Sequence, residues 1–193
     1  MVRTCVLALM VVLAGCAGLG VRAPAPLPQD LAQLEQWQLQ GRIGVSGAES
    51  GGSGSFQWMQ RGDRADIQIR GPVGVGSVRL ELRGEGPRPD LRLETSDGQK
   101  LESEAAWREL EARLGAEVPA GHLRYWLLGL PAPGEHHWVA GAGENTASLE
   151  QSGWRIDYQR YSTEPGMKVP VRLRAASGDA RVRIVVDRWR LGQ

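Results

Sequence analysis

The pair His136-His137 is the part of the sequence whose residue types most directly suggest metal chemistry. Adjacent residues in a strand point to opposite faces, which keeps two such imidazoles from sharing one ion. No HExxH motif or cysteine cluster accompanies the pair. We therefore predict solvent-exposed loop histidines and no metal site.

The patterns associated with catalysis are absent or incomplete. The glycines of GPVGVG (71–76) lack the lysine and helix of a phosphate-binding loop, so they indicate a turn. No GxSxG motif is present. His122, at a predicted helix start, has no obvious nucleophile nearby, which favours a surface or capping role. We therefore predict that the protein is not an enzyme.

Cys16 is the residue whose chemistry the neighbouring sequence specifies. The positive charge of Arg3 and the apolar run Val6–Ala14 are typical of a secretory signal peptide. Leu13-Ala14-Gly15-Cys16 resembles the bacterial lipobox, which implies cleavage after residue 15 and acylation of the Cys16 sulfur and amine. A plain signal peptide with an incidental cysteine is the alternative. These acyl groups are the only bound groups we expect.

The segments around Cys16 predict a location and a domain plan. Ala17 follows the cysteine, not the Asp associated with inner-membrane retention, so the resemblance implies the outer membrane of a Gram-negative bacterium, facing the periplasm. Residues 17–28 are rich in Ala, Gly and Pro, as in a tether. We assign 1–15 to a signal peptide, 16–34 to the lipidated cysteine and tether, and 35–193 to a single domain.

Composition describes an ordinary globular domain. Of 193 residues, 41% are hydrophobic and 23% charged, and 23 Lys+Arg balance 22 Asp+Glu. This even balance argues against nucleic acid as a partner. Once the signal peptide is removed, Cys16 is the only cysteine left, so the fold depends on packing and hydrogen bonding. The seven tryptophans supply large apolar surfaces that must be buried or used.

Alternating apolar and polar residues predict about ten antiparallel strands. In the first, Trp37, Leu39, Ile43 and Val45 share one face. Two segments have helical spacing instead, Ser103–Leu114 and Gly121–Leu130. Residues 47–54 (GAESGGSG) are predicted to form a flexible loop. The predicted fold class is α+β, with a curled antiparallel sheet whose apolar concave face is covered by the short helices.

Several stretches, in order along nearly the whole mature chain, resemble the LolB family of outer-membrane lipoprotein receptors. The most specific is LRYWLLGLP (123–131), which is similar to the family's LRxWxxGLP stretch. The others are WQLQGRIGV (37–45), GSFQW (54–58), GPVG (71–74), Gly153-Trp154 with Tyr158 and Tyr161, and VDRW (186–189). The resemblance implies an incomplete β-barrel, with helices that cap an apolar cavity.

The same resemblance implies a function and partners. The protein would accept acylated lipoproteins from a periplasmic carrier of the LolA type and insert them into the inner leaflet of the outer membrane, without nucleotide hydrolysis. A monomer is expected. The alternative is a structural or scaffolding envelope lipoprotein with a packed core, because protein interiors rarely contain large voids.

Two sets of residues are candidates for these roles. Gly71-Pro72-Val73-Gly74 fits a type I turn with an apolar tip. The resemblance implies that Pro72, Val73 and Gly74 form a membrane-insertion turn, with Val73 in place of the family's usual Leu. The candidate cavity residues are Trp58, Ile67, Ile69, Leu80, Trp126, Leu130 and Trp154.

Overall fold

The computed structural model describes residues 30–47, 51–72, 76–114, 116–140, 147–164 and 166–192. A 3-10 turn, Leu31–Gln33, precedes the first strand. The strands are β1 Gln36–Ser46, β2 Gly51–Arg61, β3 Arg64–Arg70, β4 Ser77–Arg83, β5 Asp90–Thr95, β6 Lys100–Glu102, β7 His137–Ala140, β8 Ala147–Gln151, β9 Trp154–Ser162, β10 Val169–Ser177 and β11 Ala180–Leu191. The helices are α1 Ser103–Leu114 and α2 Ala120–Leu128.

All these strands form one antiparallel sheet in the order β6-β5-β4-β3-β2-β1-β11-β10-β9-β8-β7. Strand β1 pairs with β11, so the two ends of the domain meet in the middle of the sheet. Strands β6 and β7 form the edges, and the barrel is therefore open. This arrangement confirms the predicted α+β fold with an incomplete antiparallel barrel.

The alternation in sequence produces one buried and one exposed face. In β5, Leu91 and Leu93 are buried whereas Arg92 between them is exposed. Helix α1 packs against β5 and β6, and α2 packs against β10. The helices thus cover the apolar concave face, as predicted. Neither is long and apolar enough to cross a membrane, within the residues that the structure describes.

The second helix ends earlier than predicted. Gly129 adopts a left-handed conformation with φ +80°, and its N–H bonds to the Trp126 carbonyl. This backbone geometry is strained for residues with a Cβ and is typical of helix C-terminal caps. The helix therefore stops at Leu128, and Leu130 leaves its face.

The Gly/Ser-rich segment is only partly a loop, which corrects the prediction for 47–54. Residues 51–54 begin β2 and pair with 43–46 of β1, while 48–50 lie outside the described residues. A Cβ at Gly54 would collide with the carbonyl oxygen of Arg70. Glycine here permits the close approach of the backbones of β2 and β3, and strand pairing overrides its low strand propensity.

Candidate binding cavity

The concave face and the helices enclose a cavity of about 150 Å³, lined only by apolar residues. Six of the seven predicted cavity residues line it: Trp58, Ile67, Ile69, Leu80, Trp126 and Trp154. They come from β2, β3, β4, α2 and β9. A cavity lined only by apolar side chains suits an apolar ligand better than ordered water, which needs polar partners.

Leu130, the seventh, lies elsewhere. Leu130 is half-buried. It lines a separate depression beneath the start of β1, together with Leu31, Leu34 and Trp37. The Gly129 cap is the reason, because it turns the chain away from the cavity one residue before Leu130. Helical spacing alone extended the face of α2 one residue too far.

The cavity adjoins a wider cleft of about 840 Å³. Both spaces share apolar walls that include Ile43, Val45, Leu110 and Leu114. The rim of the cleft includes residues 51–54, where β2 has no large side chains. The sequence did not single out these rim glycines, because composition made them resemble a loop.

The tryptophans that line the cavity have their polar atoms bonded outside it. The Trp126 indole donates to Gln151 Oε1 at 2.9 Å, and Trp154 donates to the Glu117 carbonyl at 3.0 Å. Trp58 donates to Gln60 Oε1 at 2.8 Å. Because every indole N–H here has a partner, the rings can present apolar surface to the cavity at no hydrogen-bonding cost.

Two titratable groups near α2 are kept neutral by burial. The Tyr158 hydroxyl donates to the Trp126 carbonyl at 3.0 Å, and burial, with a smaller contribution from Tyr161, raises the pKa of Tyr158 well above its ordinary value. Burial likewise lowers the pKa of His122. Neither side chain lines the apolar cavity; the neutral forms are favoured because burying a charge without a partner is costly.

His122 is not at the surface, which corrects the prediction for this residue. It is 9% exposed, its ring meets Trp126 edge-on with centroids 5.9 Å apart, and its Nδ1 lies 3.1 Å from Ser152 Oγ. By contrast, His136 and His137 are exposed. In the part of the chain that is described, no three His, Cys, Asp or Glu side chains are placed to hold a metal ion.

The other candidates lie mostly outside the described residues. These are Cys16, with the tether before residue 30, and Val73 and Gly74 in the connection between β3 and β4. Pro72 is described and exposed. The Gly71 N–H bonds to the Gly76 carbonyl at 3.1 Å, and both residues line the cleft. The connection that contains Val73 therefore starts and ends at the cleft.

An open antiparallel barrel with a helix-covered apolar cavity defines a class of protein that can shelter an apolar ligand. A family model described as "Outer membrane lipoprotein LolB" matches residues 35–189. The chain belongs to the LolB family of outer-membrane lipoproteins.

Individual relatives agree over almost the full length. The "Outer-membrane lipoprotein LolB" of Pseudomonas fluorescens is 37% identical, with 97% of each chain covered. That of Ectopseudomonas mendocina is 36% identical with the same coverage, and that of Stutzerimonas stutzeri is 35% identical, covering 94% of this chain and 91% of the relative. The resemblance seen in the sequence is therefore confirmed.

Proposed function

We propose that this protein accepts acylated lipoproteins from a soluble periplasmic carrier of the LolA type and inserts them into the outer membrane, without nucleotide hydrolysis. The observation that carries the proposal is the wholly apolar cavity that adjoins a larger cleft. Family membership supports the lipoprotein role. Acylation of Cys16 would anchor the receptor, as a monomer, at the membrane that it serves.

Acyl chains need such a sheltered path. A triacylated cysteine carries on the order of 45 methylenes, and at ~0.8 kcal/mol each their full exposure to water would cost tens of kcal/mol. The cavity of about 150 Å³ is too small for all of them. We expect the cleft of about 840 Å³ to hold the remainder, with the helices shifting outward as the chains enter.

The direction of transfer would come from differences in affinity. A ligand moves spontaneously from a weaker to a stronger site, so the carrier must bind the chains less tightly than this receptor, and the receptor less tightly than the bilayer. The cavity supplies apolar contact and no charged group that would hold the cargo.

The connection between β3 and β4 would perform the last step. Its described ends, Gly71 and Gly76, line the cleft, and Pro72 is exposed. Val73 between them would enter the interfacial layer of the bilayer and give the acyl chains a short apolar route out of the cleft.

Transfer scored in two steps tests the proposal. A labelled lipoprotein is passed from carrier to receptor, then from receptor to liposomes. Val73→Glu should keep the first step and slow the second, whereas Val73→Leu should match or exceed the parent. Delivery by Val73→Glu at the parental rate would exclude an insertion role for the turn.

Binding of an apolar fluorescent probe separates transport from scaffolding. A receptor with a usable cavity should bind the probe stoichiometrically, and cargo should displace it. A scaffolding lipoprotein with a packed core would bind none, and that result would favour the alternative function.

A further inference from the structure

A group of five exposed arginines on the convex side of β9–β11 is among the arginines that have no carboxylate partner in the described residues. They are Arg160 of β9, Arg172 and Arg174 of β10, and Arg181 and Arg183 of β11. We name this group the arginine face. Within the described part of the chain, Arg181 is the one member whose guanidinium is hydrogen-bonded, to the carbonyls of Gly178 and Ala180.

The strand register places these like charges opposite each other. Arg174 pairs directly with Arg183 across β10 and β11, and Arg172 pairs with Arg160 across β10 and β9. Like charges in such positions destabilise a sheet. Asp157 lies opposite Arg174 across β9 and β10, but Arg155 and Ser148 bond its Oδ1, and no ion pair joins it to Arg174 among the described residues. The face therefore gains from an external anion.

On the other half of the sheet, the exposed arginines of β4 and β5 have carboxylate partners. On β4, Arg79 lies 2.7 Å from Asp66. On β5, Arg92 lies 3.2 Å from Glu102. On β2 and β3, Arg61, Arg64 and Arg70 are also exposed without a carboxylate partner among the described residues, but β9–β11 hold the larger group.

The arginine face reaches the end of the central strands at which the cleft lies. Arg181 pairs with Ser46 of β1, and Ser46 pairs with Gly51 on the rim of the cleft. A flat anionic surface that contacts the face would therefore also lie near the cleft.

We propose that the arginine face binds the phosphate groups of anionic lipids in the receiving bilayer and so orients the cleft for delivery. The proposal rests on the proposed function, since it assumes that the cargo goes to a bilayer. Guanidinium groups pair bidentately with phosphate. Each arginine near an anionic bilayer increases binding about fivefold, so several acting together can hold one orientation.

The test uses the full lipidated chain, reconstituted in vesicles through its own anchor. A fluorophore on Ser46→Cys, an exposed position beside Arg181, reports contact with a quencher carried on lipid headgroups. The test variant is R172Q/R174Q/R183Q. The matched control is R79Q/R83Q/R92Q, which removes the same charge from β4 and β5.

With phosphatidylglycerol in the vesicles, the test variant should lower the ratio of bilayer-apposed to free domain at least tenfold, and the control should not. Salt at about 1 M, where the screening length falls to ~3 Å, should abolish the apposition of the parent. On pure phosphatidylcholine the variants should not differ. Equal quenching in parent and test variant, or an equal loss in the control, would overturn the proposal.

Cargo uptake from the carrier, measured for the same variants, distinguishes lipid binding by the arginine face from docking of an acidic protein. Normal uptake with lost apposition supports lipid binding. Lost uptake with normal apposition would instead identify the face as a docking site for an acidic protein and would overturn the lipid assignment. A parent that binds no apolar probe would refute the proposed function, while the quenching ratio would still decide whether the face binds lipid.

Discussion

The Trp126 indole N–H donates a hydrogen bond to Gln151 Oε1 over 2.9 Å, and both side chains are buried. The same oxygen accepts the Ala132 N–H, and Gln151 Nε2 donates to the carbonyls of Ala132 and Glu135. One amide side chain from β8 thus fixes α2 and the segment that follows it. Trp126 forms part of the cavity wall, and this buried network holds it in position.

Gln151→Leu should destabilise the domain by about 3 kcal/mol. The change leaves the Trp126 and Ala132 N–H groups buried without acceptors, and each unsatisfied group costs about 1–3 kcal/mol. Gln57→Leu, on the half-exposed convex side of β2, is the matched control and should change stability by less than ~0.5 kcal/mol. Denaturant unfolding followed by tryptophan fluorescence measures both. Equal stability of the two variants would show that the network does not hold α2 in place.

Gly52→Leu should block the cleft without unfolding the domain. A Cβ at Gly52 meets nothing within 4 Å, and Gly52 pairs with Val45, a residue of the cavity wall. Paired residues in antiparallel strands share a face, so the added leucine points toward the cleft. We expect the affinity for an apolar probe to fall about tenfold, or ~1.4 kcal/mol.

Gly44→Leu is the control for this change. Gly44 is also free of atoms within 4 Å of its added Cβ, but it pairs with Arg183 and therefore faces the convex side. Its probe affinity should equal that of the parent, and both variants should unfold within about 1 kcal/mol of the parent. If the two leucines weaken probe binding equally, the cleft is not the route to the cavity.

Stability should decrease on acidification because of His122. Burial lowers the pKa of its imidazole in the folded state below the ordinary value of 6.5. Below pH 6.5 the unfolded chain therefore takes up a proton that the folded chain does not, which favours unfolding until the folded-state pKa is reached. Above pH 6.5 the contribution is constant.

Unfolding free energies measured on both sides of pH 6.5 test this effect. His122→Gln should reduce the slope below pH 6.5, and replacement of the exposed His136 by Gln should leave it unchanged. A His122→Gln protein with the parental slope would show that other groups cause the acid sensitivity.

Cys16→Ser should abolish acylation and release the protein from the membrane fraction. The prediction rests on the lipobox, since Cys16 lies outside the described residues. Cys5→Ser, within the predicted signal peptide, is the control and should leave acylation intact. The measurements are membrane fractionation and mass spectrometry of the amino terminus. Wild-type acylation of Cys16→Ser would refute the assignment.

The sequence by itself determined the sheet, the helices and the family. A strand with one buried and one solvent-exposed face has alternating apolar and polar residues, as in Trp37, Leu39, Ile43 and Val45. This pattern is local, so it can be read from the sequence without the tertiary structure. The helical spacing within Ser103–Leu114 predicted α1 for the same reason, and its apolar positions Trp107, Leu110 and Leu114 pack in or against the core. Six of the candidate cavity residues were recognisable because a residue's parity in a strand or its place on a helix already decides which way it points.

Tertiary structure decided what local pattern could not express. Gly129 is a local stop signal for the helix, but only the structure shows that Leu130 then lies beside the start of β1 and not in the cavity. Residues 51–54 have the composition of a loop, yet pairing with β1 makes them the start of a strand on the rim of the cleft. His122 and Gln151 are polar and carry no burial signal. They are buried because side-chain and backbone groups distant in sequence satisfy them, and only the packing of α2 against the sheet brings those partners together.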